Sequence, residues 1–81
     1  MSRLIHRPLE VMEFKGHPAK VRWQGRWVQV ITILDRWYDA GKWWEGEPPW
    51  LFFRILLEGN RIWEIFFDQD RTCWNLYKIY D

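Results

Sequence analysis

Hydrophobic positions fall into short runs rich in β-branched and aromatic residues and bounded by polar turn residues, Gly, Pro, Asn and Asp, which is the signature of β-strands joined by turns. Five or six strands are predicted, over Leu9–Lys15, Ala19–Trp23, Arg26–Leu34 with an extension toward Trp37, Trp50–Glu58, Arg61–Phe67 and Thr72–Tyr80. Residues 1–8 precede the first run and are expected to form a flexible tail. The longest connection, Asp35 to Pro49, is punctuated by Asp39-Ala40-Gly41 and Gly46-Glu47-Pro48-Pro49 and has room for one helical turn.

The turn Glu58-Gly59-Asn60-Arg61 gives the clearest register, because a Gly-Asn pair supplies the positive φ of a two-residue hairpin loop, with Gly first suggesting type II′. Leu57 is then expected opposite Ile62, Leu56 opposite Trp63 and Phe53 opposite Phe66. A four-residue loop over Asp68–Arg71 sets Ile65 opposite Trp74. Alternation assigns Leu51, Phe53, Ile55, Leu57, Ile62, Phe66, Tyr77 and Ile79 to one face, with Glu64 and Asn75. The other face receives Trp50, Phe52, Leu56, Trp63, Ile65, Phe67, Trp74 and Leu76, with Arg54, Thr72 and Lys78. Neither is a solvent face, since a one-sided sheet alternates cleanly between apolar and polar. Either the N-terminal strands and the Trp-rich connection cover the two faces, or another chain covers one of them.

The first ribbon differs. With Gln24-Gly25 as its turn, Ala19, Val21, Trp23, Val28 and Val30 share one face, and Lys20, Arg22, Trp27 and Gln29 share the other.

Composition sharpens the picture. The 81 residues include 8 Trp, 3 Tyr and 5 Phe, so one domain spanning 1–81 is expected to be stabilised by packed rings. A lone cysteine, Cys73, makes no internal disulfide, and with two histidines it is a poor zinc ligand set. The net charge of +1 hides an asymmetry: residues 1–44 hold eight Lys/Arg against four Asp/Glu, and residues 45–81 hold four against seven. The start of the chain, Met-Ser-Arg-Leu-Ile-His-Arg-Pro, lacks a signal-peptide core, and no apolar run approaches the roughly 18 residues of a membrane span. A soluble, cytoplasmic protein without a membrane partner is expected.

Little in the chain suggests catalysis. Ser2 lies in the expected tail, Thr32 and Thr72 on or beside strands, and Cys73 beside Trp74 as a small core residue. His6 and His17 have no acidic or thiol partner at a metal-like spacing. Glu45/Glu47 and Asp68/Asp70 fall in turns, where acidic residues are ordinary loop chemistry, and the five glycines are scattered. No enzyme activity, metal or cofactor is expected. Two binding readings remain. Lys20, Arg22, Arg26 and Trp27, near Lys15 and His17, combine cations with a ring as single-strand nucleic-acid sites do, though cations on an edge ribbon also block aggregation. Trp37, Tyr38, Trp43 and Trp44 form the second candidate, a protein-interaction site, because Trp and Tyr are enriched at interface hot spots. The same rings would also serve to cap the barrel.

The series Pro18-Ala19, Val21-Arg22-Trp23, Gly25-Arg26-Trp27, Val30, Trp37, Trp43-Trp44, Phe52-Phe53-Arg54-Ile55, Trp63-Glu64-Ile65-Phe66, Trp74-Asn75-Leu76 and Ile79-Tyr80-Asp81 resembles a small bacterial domain family of unknown function. It is similar to the Trp-rich segment that ends the ImuB-type relatives of Y-family DNA polymerases. The resemblance covers residues 18–81 and implies a setting in DNA repair or mutagenesis, with no catalytic residue carried over.

The expected fold is all-β, a small antiparallel meander of five to six strands curled into an SH3-like or partly open barrel. The expected function is a non-catalytic interaction module with a protein partner or a second copy of itself. Single-stranded nucleic-acid binding and a purely structural role are the alternatives.

Overall fold

Pairs of residues with positive φ set the first two hairpins. Lys15 (φ 51°) with Gly16 (φ 83°), and Gln24 (φ 52°) with Gly25 (φ 78°), form two-residue loops of the type I′ kind, whose twist matches that of the flanking strands. The computed structural model describes residues 2–39 and 50–80, with side chains over 5–39 and 50–80. Its strands are β1 (Ser2–Leu9), β2 (Val11–Phe14), β3 (His17–Trp23), β4 (Arg26–Asp39), β5 (Trp50–Leu57), β6 (Arg61–Asp68) and β7 (Cys73–Tyr80). No helix among the described residues is long and apolar enough to cross a membrane.

All neighbouring strands are antiparallel, in the order β1-β7-β6-β5-β4-β3-β2. The fold is therefore all-β, with seven strands in place of the expected five to six. The additional strand is β1. Residues 1–8 were expected as a tail, but Ser2–Leu9 pairs with β7 along its length. The sequence hides this because Arg3, His6, Arg7 and Pro8 interrupt any apolar alternation.

β1 and β2 are consecutive parts of one segment that changes partner at Glu10. Before it, Leu9 faces Trp74 of β7; after it, Val11 faces Val21 of β3. The Arg22 amide donates to the Glu10 carbonyl at 2.9 Å, fastening the changeover. The two ends of the strand order are thus covalently continuous, and the sheet curls into an open barrel.

The third hairpin corrects the expected register. Leu57 faces Arg61, Ile55 faces Trp63 and Phe53 faces Ile65, one residue from the two-residue-loop pairing. Glu58 causes the shift. Its amide donates to the Gln29 carbonyl at 3.0 Å and its carboxylate accepts the Gln29 amide at 3.1 Å, so it belongs to the β4 ladder and leaves a three-residue loop. Gly59 (φ 84°) and Asn60 (φ 60°) are both left-handed, unlike the expected II′ turn, in which only Gly59 would be.

A one-residue slip exchanges faces. The inner cluster holds Val21, Phe53, Ile55, Leu57, Trp63, Ile65, Leu76 and Ile79, with Ile5, Leu9, Val11, Trp23 and Val28 of the N-terminal strands packed against it. Leu76 and Ile79 share this face despite their odd spacing because Tyr77 is bulged out of β7. In the pairing with β6, Glu64 faces Lys78 and Ile65 faces Leu76; in the pairing with β1, Leu4 faces Lys78 and Arg7 faces Leu76.

Phe52 and Phe66, on the outer face of β5 and β6, are nonetheless buried. Trp37 stacks on Phe52 at 5.4 Å, Trp50 stacks on Phe66 at 4.4 Å, and the bulged Tyr77 meets Phe52 edge-on at 5.0 Å. His6 closes on Phe66 at 5.6 Å from a left-handed backbone position in the β1 irregularity. Both faces of the meander are apolar, as the sequence indicates, and rings of the same chain supply much of the outer cover.

Beside these rings lies a charged group with only 5% of its surface exposed, Glu64. Arg54 donates to it through Nε at 3.1 Å and lies 3.1 Å away through a terminal nitrogen, and the Tyr80 hydroxyl donates to the same oxygen. The Arg54 guanidinium also lies over the rings of Trp37 and Tyr80. A buried carboxylate is tolerable when its charge is matched in this way.

Arg54→Met removes the only cation paired with Glu64 among the described residues. We expect it to cost about 2–4 kcal/mol in a urea melt, below the top of the range for breaking a buried pair because Arg54 is partly exposed. A loss within the noise of a surface substitution would remove the network from the account. The hydrogen bond to Glu64, reinforced by burial, holds the Tyr80 phenol above its ordinary value of about 10. A raised value means that the native state retains the proton longer, so this contribution is whole below pH about 10 and is lost as pH rises beyond it. Tyr80→Phe should flatten the alkaline decline in stability, measured by urea unfolding across that range; an unchanged decline would contradict it.

Candidate functional site

The cross-strand pairs of β3 and β4 separate the expected cationic site into two parts. Lys20 faces Gln29 and Arg22 faces Trp27, placing these four on the outward face of the ribbon. Arg26 faces Trp23, so it belongs to the opposite face and does not join them. The reason is the two-residue loop: residues that flank it directly face each other, and Arg26 is adjacent to Trp27.

On the outward face, the Arg22 guanidinium lies 5.7 Å from the Trp27 ring centroid and Arg22 makes a long, exposed ion pair with Glu10 at 3.9 Å. Met12 joins this face opposite Lys20. Further along β4, Ile31 and Leu34 sit at the two irregularities of the β4–β5 pairing, which lies between Val30 and Thr32 and between Ile33 and Asp35. Each bulge adds a residue that the ladder does not use, and both added residues are large and apolar. Met12, Trp27, Ile31 and Leu34 are 47%, 39%, 57% and 46% exposed. Scattered exposed apolar residues are normal; these four are carried by β2 and β4, the strands on either side of β3.

Trp23 and Gln24, at the turn of the ribbon, line two clefts, one on the Arg26 face and one that reaches round to Arg22. One, of about 320 Å³, also includes Arg26, Val28, Glu58, Gly59 and Arg61; the other, of about 300 Å³, includes Arg7, Glu10, Arg22 and Gly25. Trp23 itself rests edge-on against the buried Trp63 at 5.0 Å, and Arg7 lies over its ring at 4.9 Å. Neither Arg7 nor Arg61 stands out in the sequence, because Arg61 meets Arg26, and Arg7 meets Trp23, only in the folded sheet.

A third cleft, of about 410 Å³, lies at the other end, between the Trp50–Phe66 stack with His6 and the turn that carries Asp68, Asp70 and Arg71. Asp68 is occupied by the turn, its carboxylate accepting the amides of Asp70 at 3.1 Å and Arg71 at 3.3 Å. Cys73 lines this cleft, half-buried, with the Asn75 amide 3.7 Å from its sulfur. Among the described residues, no three His, Cys, Asp or Glu side chains come together as a metal would need.

Of the expected protein-interaction residues, Trp37 is half-buried in the outer-face stack, and Tyr38 is exposed with Arg36 over its ring. Trp43 and Trp44 lie outside the described residues. Trp37 is thus part of the structure's own cover, while Trp27 is available. Trp37→Ala should cost about 2 kcal/mol of stability, since it strips the ring stacked on Phe52, and Trp27→Ala less than about 1 kcal/mol. Urea unfolding of the two variants reads the order, and the reverse order would exchange their roles.

No curated protein and no solved structure matches the chain. One family model does, over residues 1–81, with the description domain of unknown function (DUF6504). The match runs through β1 as well as the Trp-rich strands, and the chain belongs to the DUF6504 family.

Proposed function

We propose that this domain is a non-catalytic protein-interaction module and that its partner docks on the outward face of β2, β3 and β4. The observation that carries this reading is the exposure of Met12, Trp27, Ile31 and Leu34 beside Lys20 and Arg22. Such a combination supplies an apolar centre with a charged margin, the composition of docking surfaces. The bulges at Ile31 and Leu34 favour recognition through side chains, because they interrupt the regular backbone ladder that an added strand would extend. The resemblance to the terminal segment of ImuB-type polymerase relatives supports a setting in bacterial DNA repair or mutagenesis, inside the cytoplasm.

A face of this kind also associates weakly with itself. Sedimentation velocity from about 10 µM to about 1 mM, the range of weak contacts, should show a rising weight-average coefficient in the native chain. Ile31→Lys with Met12→Lys should abolish the rise without lowering the unfolding midpoint. Ideal monomer behaviour in both proteins would contradict the reading.

The position of Arg22 over the exposed Trp27 ring favours a second reading, single-stranded nucleic-acid binding through Lys20, Arg22 and Trp27. Oligodeoxythymidine should then quench Trp fluorescence at low salt, and Trp27→Ala should weaken the binding. Failure to quench at low salt would end this reading.

A further inference from the structure

The sequence singles out Arg26, but the register turns it away from Lys20, Arg22 and Trp27. On its own side it meets Arg61 from β6, since both line the cleft floored by Trp23. Arg7 from β1 lines the adjoining cleft and lies over the same indole. Two strands that are distant in sequence therefore bring Arg26 and Arg61 into one cleft, with Arg7 in its neighbour across Trp23.

No described carboxylate lies within ion-pair distance of Arg7, Arg26 or Arg61; the described pairs are Arg22 with Glu10 and Arg54 with Glu64. One carboxylate lines each cleft: Glu58, accepting the Gln29 amide, beside Arg26 and Arg61, and Glu10, 3.9 Å from Arg22, beside Arg7. Two arginines in one cleft, each with planar N–H donors, match an oxyanion of phosphate geometry. Arginine suits this role at a surface because its guanidinium is weakly hydrated and packs on rings, as Arg7 does on Trp23.

We propose that Arg26 and Arg61 form an oxyanion site that takes a phosphate group in the cleft beside Trp23. The site is distinct from the docking face, which lies on the opposite side of the same ribbon. The shared ligand chemistry is the phosphate group, carried either by a nucleic-acid strand or by a small phosphorylated molecule.

The test is an NMR titration of the full chain with inorganic phosphate at constant ionic strength, followed through the arginine Nε–H signals and the Gln24, Gly25 and Gly59 amides. Saturable shifts are expected at these signals. Arg26→Gln and Arg61→Gln are both exposed changes, and each should weaken binding roughly three- to tenfold, with the double variant losing it. Arg71→Gln, an arginine at the other end of the molecule, should leave it unchanged. Absence of saturable shifts would overturn the proposal, as would the same binding in the double variant or an equal loss in Arg71→Gln. Adenosine monophosphate and oligodeoxythymidine then separate the sources. Tighter binding of the oligonucleotide that still requires Arg26 and Arg61 supports the site as part of a strand track, and preference for the mononucleotide supports it as a small-molecule site. An oligonucleotide that binds independently of both arginines leaves the strand to Trp27 and counts against the track.

Discussion

The change of partner at Glu10 is the constraint on which the rest of the molecule depends. One segment pairs first with the last strand and then with the third, and the Arg22 amide bond to the Glu10 carbonyl holds the point of exchange. Without it, β7 and β3 would be remote edges of a curled sheet. With it, Ile5, Leu9 and Val11 close over the inner cluster, and Arg7 reaches Trp23. Closure also reduces exposed strand edge, a source of aggregation in small β proteins.

A second constraint is that β5 and β6 are apolar on both faces. A small domain has too little material to bury a sheet twice by adding layers. Here the problem is met by aromatic side chains laid on the outer face from the ends of neighbouring strands: Trp37 from β4, Trp50 from β5 itself and Tyr77 from a bulge in β7. The Glu64, Arg54 and Tyr80 group adds directional bonds that apolar contacts alone lack, and its Arg54 guanidinium lies over Trp37. Phe52 and Phe66, buried beneath these rings, are withdrawn from the surface. Functional interest therefore moves to what the folding leaves over, namely the outward ribbon face and the arginine-lined end.

Strand existence, antiparallel order and the turn at Gln24-Gly25 were legible in the sequence because hydrophobic runs and positive-φ residues are local signals. The face of Lys20, Arg22 and Trp27 followed directly from that turn. The third hairpin was not, since Glu58 answers to Gln29 across a long sequence separation and no local pattern encodes that choice. Nor was β1, whose pairing depends on β7. The bulge at Tyr77 reassigns Leu76 and Ile79 to one face, and nothing in Leu76-Tyr77-Lys78-Ile79 announces it. The candidate site shows the same limit: Arg26 was visible as a cation in a ribbon, but Arg61 joins it only in the folded sheet, and Ile31 and Leu34 are exposed only because bulges add them to β4.

Hydrogen exchange of the amides in β1, together with that of Arg22, tests the central claim most directly. Closure by the N-terminal segment predicts that the β1 amides paired with β7 and the Arg22 amide exchange as slowly as those of β5 and β6, through the same global opening. Exchange at unprotected-chain rates over residues 2–9 and at Arg22, with β5 and β6 still protected, would show an open sheet with a loose N-terminal tail and would contradict the account.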